Sequence, residues 1–354
     1  MIEIDGSYRE GGGQILRTAL SLSCLFRKPF RIFNIRKGRR KPGLMPQHLT
    51  AVRASQLLSG AEVKGDRVNS TELLFSPGEV KGGDFFFDIG TAGSTTLVLQ
   101  TLIPPIALSG ERGTSNQETT ITLKGGTHVP FSPPFHYVSE VFVPLLKLIG
   151  MDIELSIDSY GFYPKGGGKI RATISPVKLL KPLTIPGRGS IVEMRGYSGV
   201  GNLPLTIAER QKKSALEKVC PEVKELRSAV DIELLDVPAQ GQGTFLFLLS
   251  KSEKSIAGFA SLGERGKRAE IVGEEAADDF LRYYSTSAAL DPHMSDQIVP
   301  YLPLCKEESV FSTSSVTGHL MTNLWTTGLF YEYRYSVEGE IGRPGVVRIG
   351  PREV

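Results

Sequence analysis

One histidine near the C-terminal end of the sequence, His319, could carry out covalent chemistry. It follows Gly318 in "SSVTGHLMTNLW", and Leu320, Leu324 and Trp325 then recur at roughly helical spacing, so it would stand at a helix start. No Ser-His-Asp or Cys-His spacing surrounds it, and the five histidines form no metal-ligand pattern. A neutral imidazole can nevertheless attack phosphorus near neutral pH and form a labile phosphoramidate. The residues alone leave open whether His319 is such a nucleophile or a packing residue.

The motif "REGGGQILR" suits the binding of a phosphate. Its three glycines lie between a strand-like and a helix-like run, where backbone amides and a helix N-terminus can hold an anion. It matches neither GxGxxG nor GxxxxGKS/T, and a glycine triplet alone is more often a turn. Glu10 beside it could coordinate a magnesium ion carried by a nucleotide. Arg17, one helical turn after Gly13, could face the same pocket.

Three further motifs have open interpretations. "IRKGRRKPG" has five cations within six positions, which suits either a phosphate-binding surface or a solvated loop. "KGGTHVPFSPPFHYV" is a Pro-rich loop with Phe131, Phe135 and Tyr137, which could form the floor of an aromatic base pocket or a rigid connector. "YGFYPKGGGKI" has a second glycine triplet in a hairpin-like position, which favours a turn at the end of a sheet.

The segment "DPHMSDQIVP" places polar side chains at a helix start. His293, Asp296 and Gln297 stand there together, and Asp291 and Ser295 are available as caps. For Asp296 alone, capping is the favoured interpretation. The second interpretation is that this turn is equivalent to the glycine turns at other helix starts, so that several starts converge on one pocket.

The elements that must position these residues alternate between strand-like and helix-like runs, which predicts a mixed α/β (α+β) fold. "IEIDG…EGGGQILRTALSLS" and "FFFDIG…TAGSTTLVLQTLI" are alike, and Gly13 and Gly93 are 80 residues apart. The second helices that follow contain His48 and His136, 88 residues apart. A third unit would have "DPHMSDQIVPYLPLC" as its first helix and "TGHLMTNLW" as its second.

The third unit would contain an insertion. His136 and His319 are 183 residues apart, which exceeds the preceding step of 88 by 95 residues. This excess predicts a large domain of three repeated units at 1–183 and 288–354, with a smaller α/β domain inserted at 184–287.

Composition indicates a globular protein. Hydrophobic residues make up 40% of the 354-residue chain and charged residues 22%. No apolar run is long enough to span a membrane and no basic-then-apolar leader begins the chain, so we expect a cytoplasmic protein with no membrane partner. Cys24, Cys220 and Cys305 fit reduced thiols better than a disulfide frame or zinc site. The net charge of only +3 does not by itself indicate nucleic-acid binding.

With these motifs in order, the chain resembles the RNA 3′-terminal phosphate cyclases over nearly its whole length. The segments that carry the resemblance, in the family's order and spacing, are "DGSYREGGGQILRTALSLS", "IRKGRRKPGLMPQHLTAV", "GTAGSTTLVLQT", "GFYPKGGG", "SDQIVP" and "HLMTN". The family usually has Arg or His before the first glycine of GxxPxGGG, and Tyr160 stands there in this chain. The resemblance implies three units, each with two helices on a four-stranded sheet, and an inserted smaller α/β domain.

The resemblance also implies a reaction, the ATP-dependent conversion of an RNA 3′-terminal phosphate to a 2′,3′-cyclic phosphodiester. His319 matches the histidine that attacks the α-phosphorus of ATP and becomes covalently adenylated. AMP then passes to the RNA 3′-phosphate, and the neighbouring ribose 2′-OH displaces it. ATP is the implied co-substrate, Mg²⁺ or Mn²⁺ the implied metal, and RNA with a 3′-terminal phosphate the implied partner.

Binding roles follow from the same resemblance. Glu10 would help hold the metal on the phosphates, and Pro134 and His293 would sandwich the adenine, although many relatives have tyrosine in place of His293. The positions that match the family's ATP contacts are Gln100, Pro134, His293, Met294, Ser295, Asp296 and Gln297. The positions suited to the terminal RNA phosphate are Arg17, Arg36, Arg39, Gln47 and His48.

Three other functions remain open. Non-catalytic ribosome-assembly factors of the same superfamily share the fold but lack the nucleophilic histidine. A basic RNA-binding module would bind through "IRKGRRKPG" with steep salt dependence and without consuming ATP. An enolpyruvyl transferase, a larger protein built from the same kind of repeat, would leave the histidine motif unexplained. His319, together with Glu10 and Arg39, favours the cyclase.

Overall fold

The computed structural model describes residues 1–108, 117–223 and 230–353. The helices are α1 (Gly13–Phe26), α2 (Pro46–Ser59), α3 (Thr95–Leu108), α4 (Phe135–Tyr137), α5 (Val143–Leu148), α6 (Thr206–Val219), α7 (Ala269–Tyr284), α8 (Pro292–Gln297) and α9 (Gly318–Gly328). The strands are β1 (Ile2–Asp5), β2 (Phe30–Phe33), β3 (Glu62–Lys64), β4 (Leu73–Ser76), β5 (Asp84–Asp88), β6 (Thr119–Gly125), β7 (Ile153–Ser159), β8 (Gly168–Ile174), β9 (Thr184–Ile185), β10 (Ile191–Gly201), β11 (Val230–Asp236), β12 (Gly243–Ser252), β13 (Ile256–Leu262), β14 (Ser309–Thr313), β15 (Tyr333–Glu338) and β16 (Gly345–Arg352). The mixed α and β class predicted from the sequence is confirmed.

Three four-stranded sheets repeat one pattern of strand pairing. Their strand orders are β1-β2-β4-β3, β5-β6-β8-β7 and β9-β14-β16-β15. In each sheet the first two strands are parallel, and the other two pairings are antiparallel. In the first two sheets a helix connects the two strands of the parallel pair. Parallel strands need such a crossover connection, because a tight turn cannot join them. The strand pairing is thus the same in three sheets, and the division of the chain into three repeated units stays a prediction.

A fourth sheet, β11-β10-β12-β13, is formed by the segment between β9 and α8, and α6 and α7 pack on it. The strand β9 pairs with β14 of the third sheet, and the first strand of the fourth sheet is β10. The predicted division of the chain into two domains stays a prediction.

The strand β12 of the fourth sheet is buried on both faces, and its side chains alternate between two cores. On β12, Leu246 and Leu248 belong to a core shared with α6 and α7. Phe245 and Phe247 belong to the larger core, which also contains side chains of the other three sheets. The segment that forms the fourth sheet is therefore packed against the rest of the described molecule.

The first helix of the third unit is shorter than the sequence predicts. It ends at Gln297, because Pro300 and Pro303 follow and proline disfavours a continuing helix. Asp291 caps it, and its Oδ1 accepts the backbone amides of His293 at 2.9 Å and of the next residue at 3.0 Å. Ser295 does not cap, since its hydroxyl donates to the Pro292 carbonyl.

No helix within the described ranges is long and apolar enough to cross a bilayer. The three cysteines are free thiols; Cys24 and Cys305 are buried and Cys220 is partly exposed.

Candidate active site

Residues near the starts of α1, α2, α3, α8 and α9 surround an open cleft with a volume of about 1900 Å³. The predicted site residues that line it are Glu10, Arg17, Arg36, Arg39, Gln47, His48, Gln100, Pro134, His293, Asp296, Gln297 and His319. The structure thus brings together side chains assigned separately to the nucleotide, the RNA phosphate and the metal. Met294 and Ser295 do not line the cleft, because both side chains are fully buried beneath α8.

His319 is the second residue of α9, and Thr317 rather than the imidazole caps the helix by accepting the Leu320 amide at 2.9 Å. Its side chain keeps 42% of its surface and faces the cleft, with Nδ1 3.1 Å from Oε2 of Glu10. The contact between Nδ1 and the Glu10 carboxylate does not have the geometry of a hydrogen bond. No other described residue forms a hydrogen bond with Nδ1. Burial lowers the pKa of His319 more than the Glu10 carboxylate raises it. The ring is therefore neutral near pH 7 and keeps a nucleophilic lone pair.

Two glycines allow these side chains to converge. A Cβ on Gly13 would overlap with Nε2 of His48 and lie 2.9 Å from Nη1 of Arg17. A Cβ on Gly318 would overlap with the carboxylate of Glu10. Gly13 of the glycine triplet and the glycine before His319 are thus required by side chains that lie against the two helix starts.

His48 presents a hydrogen-bond donor to the start of α1. Its Nδ1 accepts the Met45 amide at 3.1 Å, so the proton of the neutral ring is on Nε2, the atom nearest Gly13. Burial, together with Arg17 and Arg36 nearby, lowers the pKa of His48 to about 3. His48 is therefore a neutral donor at physiological pH.

A partly buried arginine and a buried carboxyl group lie in the cleft beside the nucleophile. Burial lowers the pKa of Arg17 to about 10, so the guanidinium remains charged. Burial, with Asp291 nearby, raises the pKa of Asp296 well above its usual range, and Arg17 opposes that shift. Thr18 donates to Oδ1 of Asn323 at 2.8 Å, and Nδ2 of Asn323 donates to the Asp296 carbonyl at 2.7 Å. These bonds connect α1, α8 and α9 directly beneath the cleft.

The basic run after β2 serves two purposes. Arg36 ties its own loop together, because Nη1 donates to the carbonyls of Lys41 at 2.8 Å and Gly43 at 3.0 Å. Arg39 lies over the start of α1, where Nη2 would be 3.3 Å from a Cβ on Gly12. The guanidinium of Arg39 is thus placed beside backbone amides at a helix N-terminus, an arrangement suited to a phosphate.

The side of the cleft formed by α3 and α8 has amide and ring groups. Nε2 of Gln100 donates to Oε1 of Gln297 at 2.7 Å. Tyr137 donates to Oδ1 of Asp291 at 2.8 Å, and its ring meets His293 edge-on, with centroids 6.3 Å apart. This wall combines flat surfaces with hydrogen-bonding groups, as a base pocket requires.

Some lining residues were not predicted. Gln14 donates to the His319 carbonyl at 3.2 Å, and Asn323 lies one helical turn after His319. Both stand inside quoted motifs, so helical spacing from Gly13 and His319 could have identified them. Asp279 and Arg282 of α7 also line the cleft. No sequence signal identifies those two, because α7 is remote in sequence from the quoted motifs.

Comparisons with known proteins agree with the resemblance. The family model described as "RNA 3'-terminal phosphate cyclase" matches residues 8–337. The curated "RNA 3'-terminal phosphate cyclase" of Sulfolobus acidocaldarius is 47% identical over 96% of this chain and 97% of its own. A protein of the same name from Ignicoccus hospitalis is 44% identical over 99% of this chain and 98% of its own. A solved EPSP synthase from Acinetobacter baumannii covers 98% of this chain and 64% of its own at a TM-score of 0.31 and 9% identity, a likeness too weak to bear on fold or function.

Proposed function

Because the chain belongs to the RNA 3′-terminal phosphate cyclase family, we propose that it converts an RNA 3′-terminal phosphate to a 2′,3′-cyclic phosphodiester, with ATP as co-substrate. The observation that carries the proposal is the neutral His319 with Nδ1 3.1 Å from the Glu10 carboxylate, in a cleft shared with Arg17 and His48. A cyclase needs a nucleophile and a phosphate-binding surface in the same cleft, and these residues supply both.

In the first step His319 acts as the nucleophile. The Glu10 carboxylate favours the tautomer with the proton on Nδ1, which leaves the lone pair on Nε2. Nε2 forms a bond to the α-phosphorus of ATP, the bond from that phosphorus to the bridging oxygen breaks, and pyrophosphate leaves. The histidine–AMP bond is labile, so the nucleotidyl group can be passed on.

In the second and third steps the basic residues hold the RNA end. Arg17, Arg39 and the Nε2–H of His48 donate to the terminal phosphate and stabilise charge in the transition state. An oxygen of that phosphate attacks the adenylate phosphorus, and the P–N bond to His319 breaks. The ribose 2′-OH then attacks the 3′-phosphorus, loses its proton, and AMP leaves.

The adenine would lie between Pro134 and His293, with Gln100 and Gln297 at its edge. An imidazole can stack on a base, though its face is smaller than that of tyrosine. Met294 and Ser295 could contribute only backbone groups, because their side chains are buried.

A divalent metal fits this site only together with the nucleotide. Among the described residues no group of three or more His, Cys, Asp or Glu side chains could hold a metal ion by itself. Mg²⁺ is commonly held by one or two carboxylates plus substrate phosphates. Glu10, whose carboxylate lines the cleft, would be such a ligand. When bound, Mg²⁺ or Mn²⁺ would neutralise charge on the phosphates.

The test is to incubate the protein with ATP, Mg²⁺ and an RNA oligonucleotide that ends in a 3′-phosphate. We expect the end to become resistant to phosphatase while AMP is released. A matched oligonucleotide with a 2′-deoxy terminal sugar should not cyclise, because the final nucleophile is missing. Tight RNA binding with no ATP-dependent product would contradict the proposal and favour the non-catalytic assembly-factor function.

A further inference from the structure

Two aromatic side chains that the proposed reaction does not use are exposed in the cleft. Phe131 is fully exposed and Tyr163 keeps 69% of its surface. Both line the same cleft as His319. Large apolar side chains are usually buried, so two exposed rings in a binding cleft indicate a ligand with flat, apolar faces.

The backbone holds the loops of these two rings side by side. Phe131 lies in the loop after β6, and Tyr163 lies in the loop between β7 and β8. His128 and Phe162 form a β-bridge between the two loops, and the Gly161 carbonyl accepts the His128 amide at 3.1 Å. Because Tyr163 follows Phe162 directly, this bridge holds the loop of Tyr163 beside the loop of Phe131.

Phe131 is held outward by an uncommon backbone conformation. Its φ is +62°, in the left-handed region that bulky residues rarely adopt. Ser132 closes the turn by donating to the Val129 carbonyl at 3.0 Å. Strain of this kind persists only where surrounding contacts impose it, and it is concentrated at functional sites.

The GxxPxGGG motif braces the loop of Tyr163. The Gly166 amide donates to the Phe162 carbonyl at 2.7 Å, and the φ of Gly166 is +66°. A Cβ on Gly166 would lie 2.8 Å from the carbonyl oxygen of Thr91, in the turn before α3. The glycine lets the loop rest directly on that turn, so Tyr163 is presented from a supported backbone.

The same cleft is also cationic. Arg40, Lys41 and Arg343 are exposed and line it, in addition to Arg17 and Arg39. Exposed aromatic rings with a basic groove form the combination that binds single-stranded nucleic acid, because every base has a face that can stack.

We propose that Phe131 and Tyr163 form a stacking platform for the last unpaired bases of an RNA strand, so that the protein selects single-stranded 3′ ends. This inference rests on the proposed function, since the strand is the one whose terminal phosphate reaches His319. It gives the aromatic loop and the second glycine triplet a role in substrate choice.

The test is fluorescence anisotropy with a 5′-labelled RNA oligonucleotide that ends in a 3′-phosphate. Phe131→Ala and Tyr163→Ala should each raise Kd by about 5-fold or more, as expected when a stacking residue is lost. Phe131→Leu should raise Kd as much as Phe131→Ala does, because leucine is apolar but cannot stack on a base. The matched control is Phe86→Ala, since Phe86 is 59% exposed on β5 and does not line the cleft; it should bind as wild type does.

Altered probes extend the test to the wild-type protein. An oligonucleotide with abasic sugars at the last positions before the end should bind wild type more weakly and abolish the difference between wild type and Phe131→Ala. A blunt hairpin with the same 3′-phosphate should also bind more weakly.

The platform is contradicted if both alanine variants bind within about two-fold of wild type, if Phe131→Leu binds normally, or if the blunt hairpin binds as tightly as the single strand. Adenylation of wild type by ATP without RNA tests the proposed function separately. Adenylation with unchanged RNA binding by the variants refutes the platform alone.

Discussion

At the residue scale, the glycines of the site are determined by neighbouring side chains. Neither Gly13 nor Gly318 has a positive φ, so their backbone conformation is open to other residues. Their missing Cβ leaves room for His48 and Arg17 in one case and for Glu10 in the other. The sequence predicted that the glycine triplet lets a backbone approach a phosphate. It could not predict these close contacts, because His48 and Glu10 are remote in sequence from the glycines that they approach.

Gly13→Ala is expected to weaken the binding of a 3′-phosphorylated RNA more than Gly12→Ala does. The new Cβ at position 13 would displace both His48 and Arg17. At position 12 the nearest atom is Nη2 of Arg39 at 3.3 Å, the end of a flexible side chain. We expect a loss of about 10-fold or more at position 13, the effect of one lost charge-assisted contact. Equal Kd values for the two variants, measured by anisotropy, would contradict this account of Gly13.

At the scale of elements, buried side-chain hydrogen bonds fix α1 and α9 to α8. Thr18→Val should lower the free energy of unfolding by about 1–3 kcal/mol, because Oδ1 of the buried Asn323 loses its donor at 2.8 Å. Thr18→Ser keeps the hydroxyl, so its free energy of unfolding should fall less than that of Thr18→Val. Urea denaturation of the two variants measures the difference, and equal losses would contradict this account, because the hydrogen bond would then contribute no more than the methyl group that Thr18→Ser removes.

Helices and strands were predictable where apolar periodicity is long. The segments of α1, α2, α6 and α7 are amphipathic or apolar over three or more turns, and the structure has helices there. The segment of α8 was predicted as a full helix, and only six residues are helical, because nearby prolines override the apolar pattern. The site residues on α8 therefore stand on a short turn braced by Asp291, which the sequence identified as a cap.

At the scale of the whole molecule, a cluster of buried rings fixes the fourth sheet to the other sheets. The His136 ring stacks on Tyr197 of β10 and Phe245 of β12, with centroids 4.6 and 5.2 Å apart. Its Nε2 lies 3.2 Å from the hydroxyl of Tyr160, and His128 is adjacent. The residue offsets predicted an insertion, but contacts between positions so remote in sequence leave no periodic signal. The entry of α7 into the cleft was unpredictable for the same reason.

This cluster should make the folded state sensitive to acid. Burial lowers the pKa of His136 from 6.5 to about 4. As pH falls through that range, the unfolded chain takes up a proton at this position and the folded protein does not, so stability is lost. The loss from this group is about 3 kcal/mol, and it is complete once pH reaches the folded pKa.

His136→Phe should therefore reduce the decline in unfolding free energy between pH 6.5 and pH 4, while losing some stability at neutral pH with the Tyr160 contact. Urea denaturation at several pH values measures this slope. Burial also lowers the pKa of His128, so a smaller acid dependence should remain. If the unfolding free energy of His136→Phe falls with pH as steeply as that of wild type, the protein relieves the buried charge on His136 in another way.

The most direct test of the central claim is labelling with ATP that carries ³²P at the α-phosphorus, with Mg²⁺ or Mn²⁺ and without RNA. Wild type is compared with His319→Ala on a denaturing gel, after each variant has been shown to be folded. We expect acid-labile label on wild type alone, because the phosphoramidate on His319 is the only covalent adduct that the proposed mechanism forms on the protein. Absence of label on folded wild type, or label that persists in His319→Ala, would contradict the assignment of His319 as the adenylated nucleophile.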